Sequence, residues 1–258
     1  MHPLAEIEYR VKNKPTENLL TVASTLLHFS IVSYLVEPTA LRKHVPPEYE
    51  LYTLVIDGKK WGLVSAVSFV NKNFRFKNLF PFLQSKFGQT NYRVYIKDKK
   101  GENSVWFLGT GLGSSLVHLP RLFWKMPWFH ARYATHVNHP ETCMPYNMQI
   151  KTKHQISQVD LTEDEIPQFT WEGFSSREEA LLVLTHPVTG YFKRNDGRVS
   201  RYGVWHSRMD VKTARPGNIY FEKFEHWGLL TRADMLRPYS VLITPSIHFQ
   251  VYLPPRKL

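Results

Sequence analysis

The chain has 258 residues, 43% of them apolar and 14% aromatic, which is enough to bury a substantial core and too apolar for a disordered polypeptide. Its 33 lysines and arginines outnumber 22 acidic residues, giving a formal net charge of +11 that attracts anions without fixing a fold. The single cysteine, Cys143, rules out an intramolecular disulfide and a thiolate metal cluster, and no run of about 18 apolar residues is present to span a bilayer.

With no secretory signal at its start and one cysteine, the chain is expected in the cytoplasm. Charge is spread along it and no finger or RNP-like strand appears, so no specific nucleic-acid partner is expected. Cys143 has no base beside it in sequence and reads as an ordinary buried thiol.

Residues 1–20 are a polar lead-in with room for a short helix. Residues 19–36 form one long strand or a strand pair. A short helix is entered near Pro38 and stopped by Pro46. Residues 50–55 and 61–70 are strands joined by the turn Asp57-Gly58. Residues 71–89 carry Phe74, Phe76, Phe80, Phe82 and Phe87 among Lys72, Arg75, Lys77 and Lys86. That composition suits packing over the core or a pocket mouth, or alternatively a membrane-surface contact.

The densest aromatic stretch follows. Tyr92, Val94 and Ile96 alternate with Arg93 and Tyr95, a strand with one buried and one accessible face on which Arg93 points away from Val94. A charged turn containing Gly101 leads into a second apolar strand with Val105, Trp106 and Phe107, predicting a hairpin. The glycines after it lack the third position of a nucleotide loop. Pro120 and Pro127 bound a short helix, placing Arg121 and Lys125 four residues apart on one face, where like charges are mildly unfavourable. A lysine near another cation in apolar surroundings can become the neutral amine of Schiff-base chemistry. The alternative is a lysine whose stem lies over Trp124 and Trp128 with its ammonium in water.

Beyond it, residues 146–159 and 181–184 read as strands, Asp196-Gly197 as a hairpin turn, and residues 199–211 and 246–253 as further strands. No linker or repeat divides the chain, so residues 1–258 are expected to form a single α+β domain. The histidine spacings fit no metal motif, so neither metal nor cofactor is expected. His206 is a candidate acid–base group.

The motifs VEPTALRKHVPPEYEL, DGKKWGLVSAVSF, TNYRVYI with VWFLGTGLG, LFWKMPWFHARY, VWHSRMD and RPYSVLITPSIHFQVYLP occur in that order. In them the sequence resembles the acetoacetate decarboxylase-like superfamily, and within it the YqjF-like branch, a domain of unknown function. The resemblance implies a curved antiparallel sheet closing into a cone or barrel with a few short helices around a small-molecule pocket. The decarboxylase proper has a glutamate where this chain places Thr90. Its Schiff-base lysine falls where this chain has Trp128, with Lys125 two residues before Pro127.

The expected function is therefore to bind a small carboxylated or carbonyl-bearing metabolite in the barrel, with its transformation by a lyase left open. In this reading Arg93 and Arg121 hold the anionic group and Lys125 is the amine. His206 moves a proton, and Trp106, Trp124 and Trp128 wall the pocket. The alternative is a non-catalytic carrier of an apolar or lipid-like ligand with peripheral membrane contact. Self-association is open.

Overall fold

The computed structural model describes residues 2–165 and 170–258. In chain order the elements are α1 (Pro3–Lys12), β1 (Thr21–Val36), α2 (Pro38–Leu41), β2 (Glu50–Leu51), β3 (Thr53–Ile56) and β4 (Lys59–Phe76). There follow β5 (Ser85–Lys97), β6 (Asn103–Leu112), α3 (His118–Phe123), β7 (Trp128–His130), β8 (Arg132–His139), β9 (Met144–Lys151) and β10 (Ile156–Glu163). The last are α4 (Arg177–Thr185), β11 (Thr189–Lys193), β12 (Val199–His206), β13 (Lys212–Tyr220), α5 (Glu222–His226), α6 (Arg232–Met235) and β14 (Ser240–Lys257).

Seven strands close a barrel in the order β1-β4-β5-β6-β11-β12-β14, with β14 pairing back onto β1 from Thr21↔Tyr252 to Ser33↔Ser240. Closure removes the exposed edges that an open sheet would present. The sheet closes into the expected barrel, antiparallel around its circuit except where β11 lies parallel to β6. A second layer of β13, β10, β9 and β8 covers one side of the barrel.

The two-residue alternation of each barrel strand sorts its side chains between two cores. Tyr92, Val94, Ile96 and Trp106 face outward into a core shared with Tyr146, Met148 and Ile150 of β9 and Phe221 and Phe224 around α5. Phe69, Tyr95, Val105, Phe107 and Tyr202 belong to the inner core. Both faces of β5 are thus covered, and the face carrying Arg93 is not solvent-accessible as its alternation suggested.

Three local expectations change. Residues 181–184 are not a strand but the body of α4, because the Ser176 hydroxyl caps the helix by accepting from the Glu179 amide at 3.1 Å. Residues 146–159 are a hairpin rather than one strand, since the Thr152 hydroxyl accepts the His154 and Gln155 amides and turns the chain between β9 and β10. And α3 ends at Phe123, after which Lys125 adopts φ 55°, so Arg121 and Lys125 do not share a helical face.

Candidate functional site

A cavity of about 90 Å³ lies inside the barrel. Its wall is mostly aliphatic and aromatic, with Leu26, Phe29, Val67, Phe69, Phe107 and Phe249 among its lining residues. Into this apolar space β5 sends Gln89, Asn91 and Arg93, at alternate positions of one strand face. Among the described residues no aspartate, glutamate or lysine lines the cavity.

Arg93 is 9% exposed and takes part in none of the ion pairs among the described residues. Its Nη2 donates to the Leu184 carbonyl at 2.7 Å and to the Tyr95 hydroxyl at 2.9 Å. Tyr95 in turn donates to the same carbonyl at 3.2 Å and shares a 2.7 Å bond with Ser65. Leu184 lies in the last turn of α4, whose carbonyl end carries partial negative charge and so favours a cation. These contacts orient the guanidinium without neutralising it, and Nε is buried with no partner among the described residues. A buried cation left without a counter-charge is costly by several kcal/mol. An anion delivered by a ligand would remove that cost.

Beside Arg93 a hydrogen-bonded ladder crosses four strands. The Ser24 hydroxyl donates to Asn71 Oδ1 at 3.0 Å, Asn71 Nδ2 to Gln89 Oε1 at 3.0 Å, and Gln89 Nε2 to Asn91 Oδ1 at 2.9 Å. The Thr110 hydroxyl donates to that same oxygen at 3.2 Å. The ladder pairs each amide with the next and ends on Asn91, beside Arg93 on the same strand. Arg93 Nε is therefore a spare buried donor, two residues from the polar end of the ladder at Asn91 on one strand face.

On the same side as Arg93, His206 packs against His186, with ring centroids 4.6 Å apart. His206 lines the cavity, and its Nδ1 lies 2.8 Å from the Ser207 carbonyl, which can only accept, so Nδ1 holds the proton. Burial pushes the His206 pKa down to about 4, reinforced by the nearby charge of Arg93 and opposed by the Ser207 carbonyl. Burial, with the charge of His206 second, pushes His186 down to about 3. The Thr185 hydroxyl donates to the Leu181 carbonyl at 2.6 Å, so it accepts from His186 Nδ1, and His186 Nε2 is buried without a partner among the described residues.

Of the residues singled out in the sequence, Arg93, Trp128 and His206 meet at this cavity. The rest do not. Trp106, 1% exposed, does not wall it, because strand alternation points it into the outer core against Tyr49 at 5.3 Å. Arg121 is exposed on α3, and Lys125, half-buried, is absent from the lining, as is Trp124, which packs against the inner core. Lys125 is excluded by its left-handed backbone turn after α3, while its neighbour Met126 enters the wall. Cys143 does have an imidazole beside it, His28 Nδ1 at 3.2 Å, but burial pushes the thiol up to about 12 and keeps it protonated. The ladder and His186 were missed. The alternation of Gln89, Asn91 and Arg93 was the available signal for the former.

Residues 23–248 match the model of DUF2071, a family of uncharacterized conserved proteins. No protein of curated function matches the sequence. The fold is similar to that of acetoacetate decarboxylase from Legionella pneumophila, with a TM-score of 0.61 at 12% identity over 95% of this chain and 92% of that one. It is likewise similar to the enduracididine biosynthesis enzyme MppR complexed with pyruvate, with a TM-score of 0.62 at 12% identity over 94% and 91%. An acetoacetate decarboxylase-like enzyme from Sphingomonas wittichii RW1 gives 0.58 at 8% identity over 93% and 94%. The chain belongs to the DUF2071 family and has the acetoacetate decarboxylase-like fold.

Proposed function

We propose that this protein binds a small carboxylate inside its barrel, with the carboxylate on Arg93 and a second oxygen of the same molecule on Asn91. The observation that carries this reading is a guanidinium buried in an acid-free apolar cavity with its Nε unbonded. Arginine suits the role because its planar fork accepts a carboxylate while other donors stay engaged. The size of the cavity narrows the ligand. A volume of about 90 Å³ equals the share of about three water molecules, room for about four to six non-hydrogen atoms. That favours a short oxo- or hydroxyacid over an acyl chain.

Binding is supported better than Schiff-base catalysis, because no lysine among the described residues lines the cavity. Any transformation would run through proton transfer at neutral His206, whose low pKa makes it a weak base. Thermal-shift titration with pyruvate, acetoacetate, lactate and their amides tests the reading. Stabilisation by the acids and not by the amides is expected. Equal stabilisation by both, or by neither, would overturn it.

A further inference from the structure

We infer that one end of the barrel docks onto an anionic lipid bilayer, using the loop of residues 77–84 together with α3. This goes beyond the cavity and does not depend on it. Two segments leave the barrel at the same rim. The loop runs between the end of β4 and the start of β5, and α3 follows the end of β6 after one short turn. The Gly113 amide donates to the Gly88 carbonyl at 2.8 Å, and Phe87, Leu112 and Val117 form one small buried cluster beneath both segments.

Above that cluster the rim is apolar and open. Leu79, Phe80, Phe82 and Leu83 in the loop and Leu119, Leu122 and Phe123 on α3 are all exposed, Phe82 to 75% and Phe123 to 67%. More than half of the exposed large apolar side chains among the described residues lie in these two short segments. A concentration of that kind marks an interaction surface, whereas scattered exposed apolar residues need no explanation.

Charge identifies the partner. Residues 58–97 and 103–140 contain no aspartate or glutamate, while Lys72, Lys86 and Arg121 are exposed around the apolar side chains. Glu17, which approaches from the segment before β1, is engaged by Lys14 at 2.9 Å and Lys77 at 2.7 Å. A second copy of the chain meeting this face through a twofold axis would set cations against cations. Leucines and phenylalanines ringed by lysine and arginine instead match the interface of an anionic bilayer. There apolar rings enter the acyl boundary and each basic residue is drawn to the surface potential.

The test is co-sedimentation of the full chain with phosphatidylcholine vesicles prepared with and without phosphatidylserine. Binding to the phosphatidylserine vesicles that weakens at high salt is expected, with about a tenfold loss in Phe82→Ser/Phe123→Ser and a similar loss in Lys86→Glu/Arg121→Glu. All four side chains are exposed, so both variants should melt with the native protein, and the charge variant keeps the test decisive if the apolar one does not fold. Native protein that stays in the supernatant, or variants that bind as the native does, would overturn the inference. So would a native dimer that Phe82→Ser/Phe123→Ser converts to a monomer, which would assign the face to a second copy.

Discussion

The two faces of β5 and β6 set two kinds of interior side by side. Outward, Tyr92, Val94 and Trp106 enter a dry core in which Tyr92 meets Phe221, Phe224 and Trp227 edge-on at centroid distances of 6.0, 5.3 and 5.4 Å. Inward, one residue away, Arg93 holds a buried Nε–H that nothing among the described residues accepts, beside the polar Asn91. Close packing between well-matched rings stabilises a fold, whereas unfilled space and unspent donors await another molecule. On these strands, stability and function are separated by the pleat rather than by position along the chain.

That separation is broken most forcefully by Trp106→Ala. It should destabilise the protein by about 3–5 kcal/mol in chemical denaturation, since a fully buried indole leaves a cavity behind. In the fraction that stays folded, the affinity for a small carboxylate should be nearly unchanged. Arg93→Gln should do the reverse. Affinity for pyruvate, read by calorimetric titration, should fall by about tenfold to a hundredfold, as for a lost charge-assisted hydrogen bond. Its stability without ligand should hold or rise, because an unpaired buried cation is gone.

The inner face should also respond to pH. His206 titrates near 6.5 when unfolded and near 4 when folded, and His186 is displaced in the same direction. A folded pKa below the unfolded one means that the unfolded state binds protons first. These histidines therefore contribute fully above about pH 6.5, and their contribution is lost as pH falls from there to about 4. Denaturant midpoints measured across that window should flatten in His206→Gln relative to the native protein. The smallest effect is expected of Lys125→Ala, which should leave affinity unchanged within about twofold because the side chain is outside the cavity. Borohydride reduction in the presence of pyruvate should yield no adduct at Lys125.

The outer face was the more legible of the two. Alternation of Tyr92, Val94 and Ile96 marked a strand, and Asp57-Gly58 and Asp196-Gly197 marked turns that do join β3 to β4 and β11 to β12. The same alternation gave Arg93 its own side of the sheet but not its surroundings. Whether that side is wet or enclosed depends on β14 returning to β1 across more than 200 residues, which no local pattern encodes. The amide ladder was hidden for the same reason, since Ser24, Asn71 and Gln89 become neighbours only through register. The misread α4 had a local signal, Ser176 followed three residues later by Glu179, and the apolar run after it drew the reading toward a strand. Trp106 was misassigned because aromatic density was taken for a pocket wall, although its parity on β6 opposes that of Val105 and Phe107.

The central claim is that the free Nε–H of Arg93 receives the ligand's carboxylate. The most direct measurement is a proton–nitrogen correlation spectrum of the arginine side chains, with the Arg93 signal assigned by its loss in Arg93→Gln. Addition of pyruvate should move that signal, and addition of pyruvamide should leave it in place. A signal that stays still while calorimetry reports pyruvate binding would contradict the account.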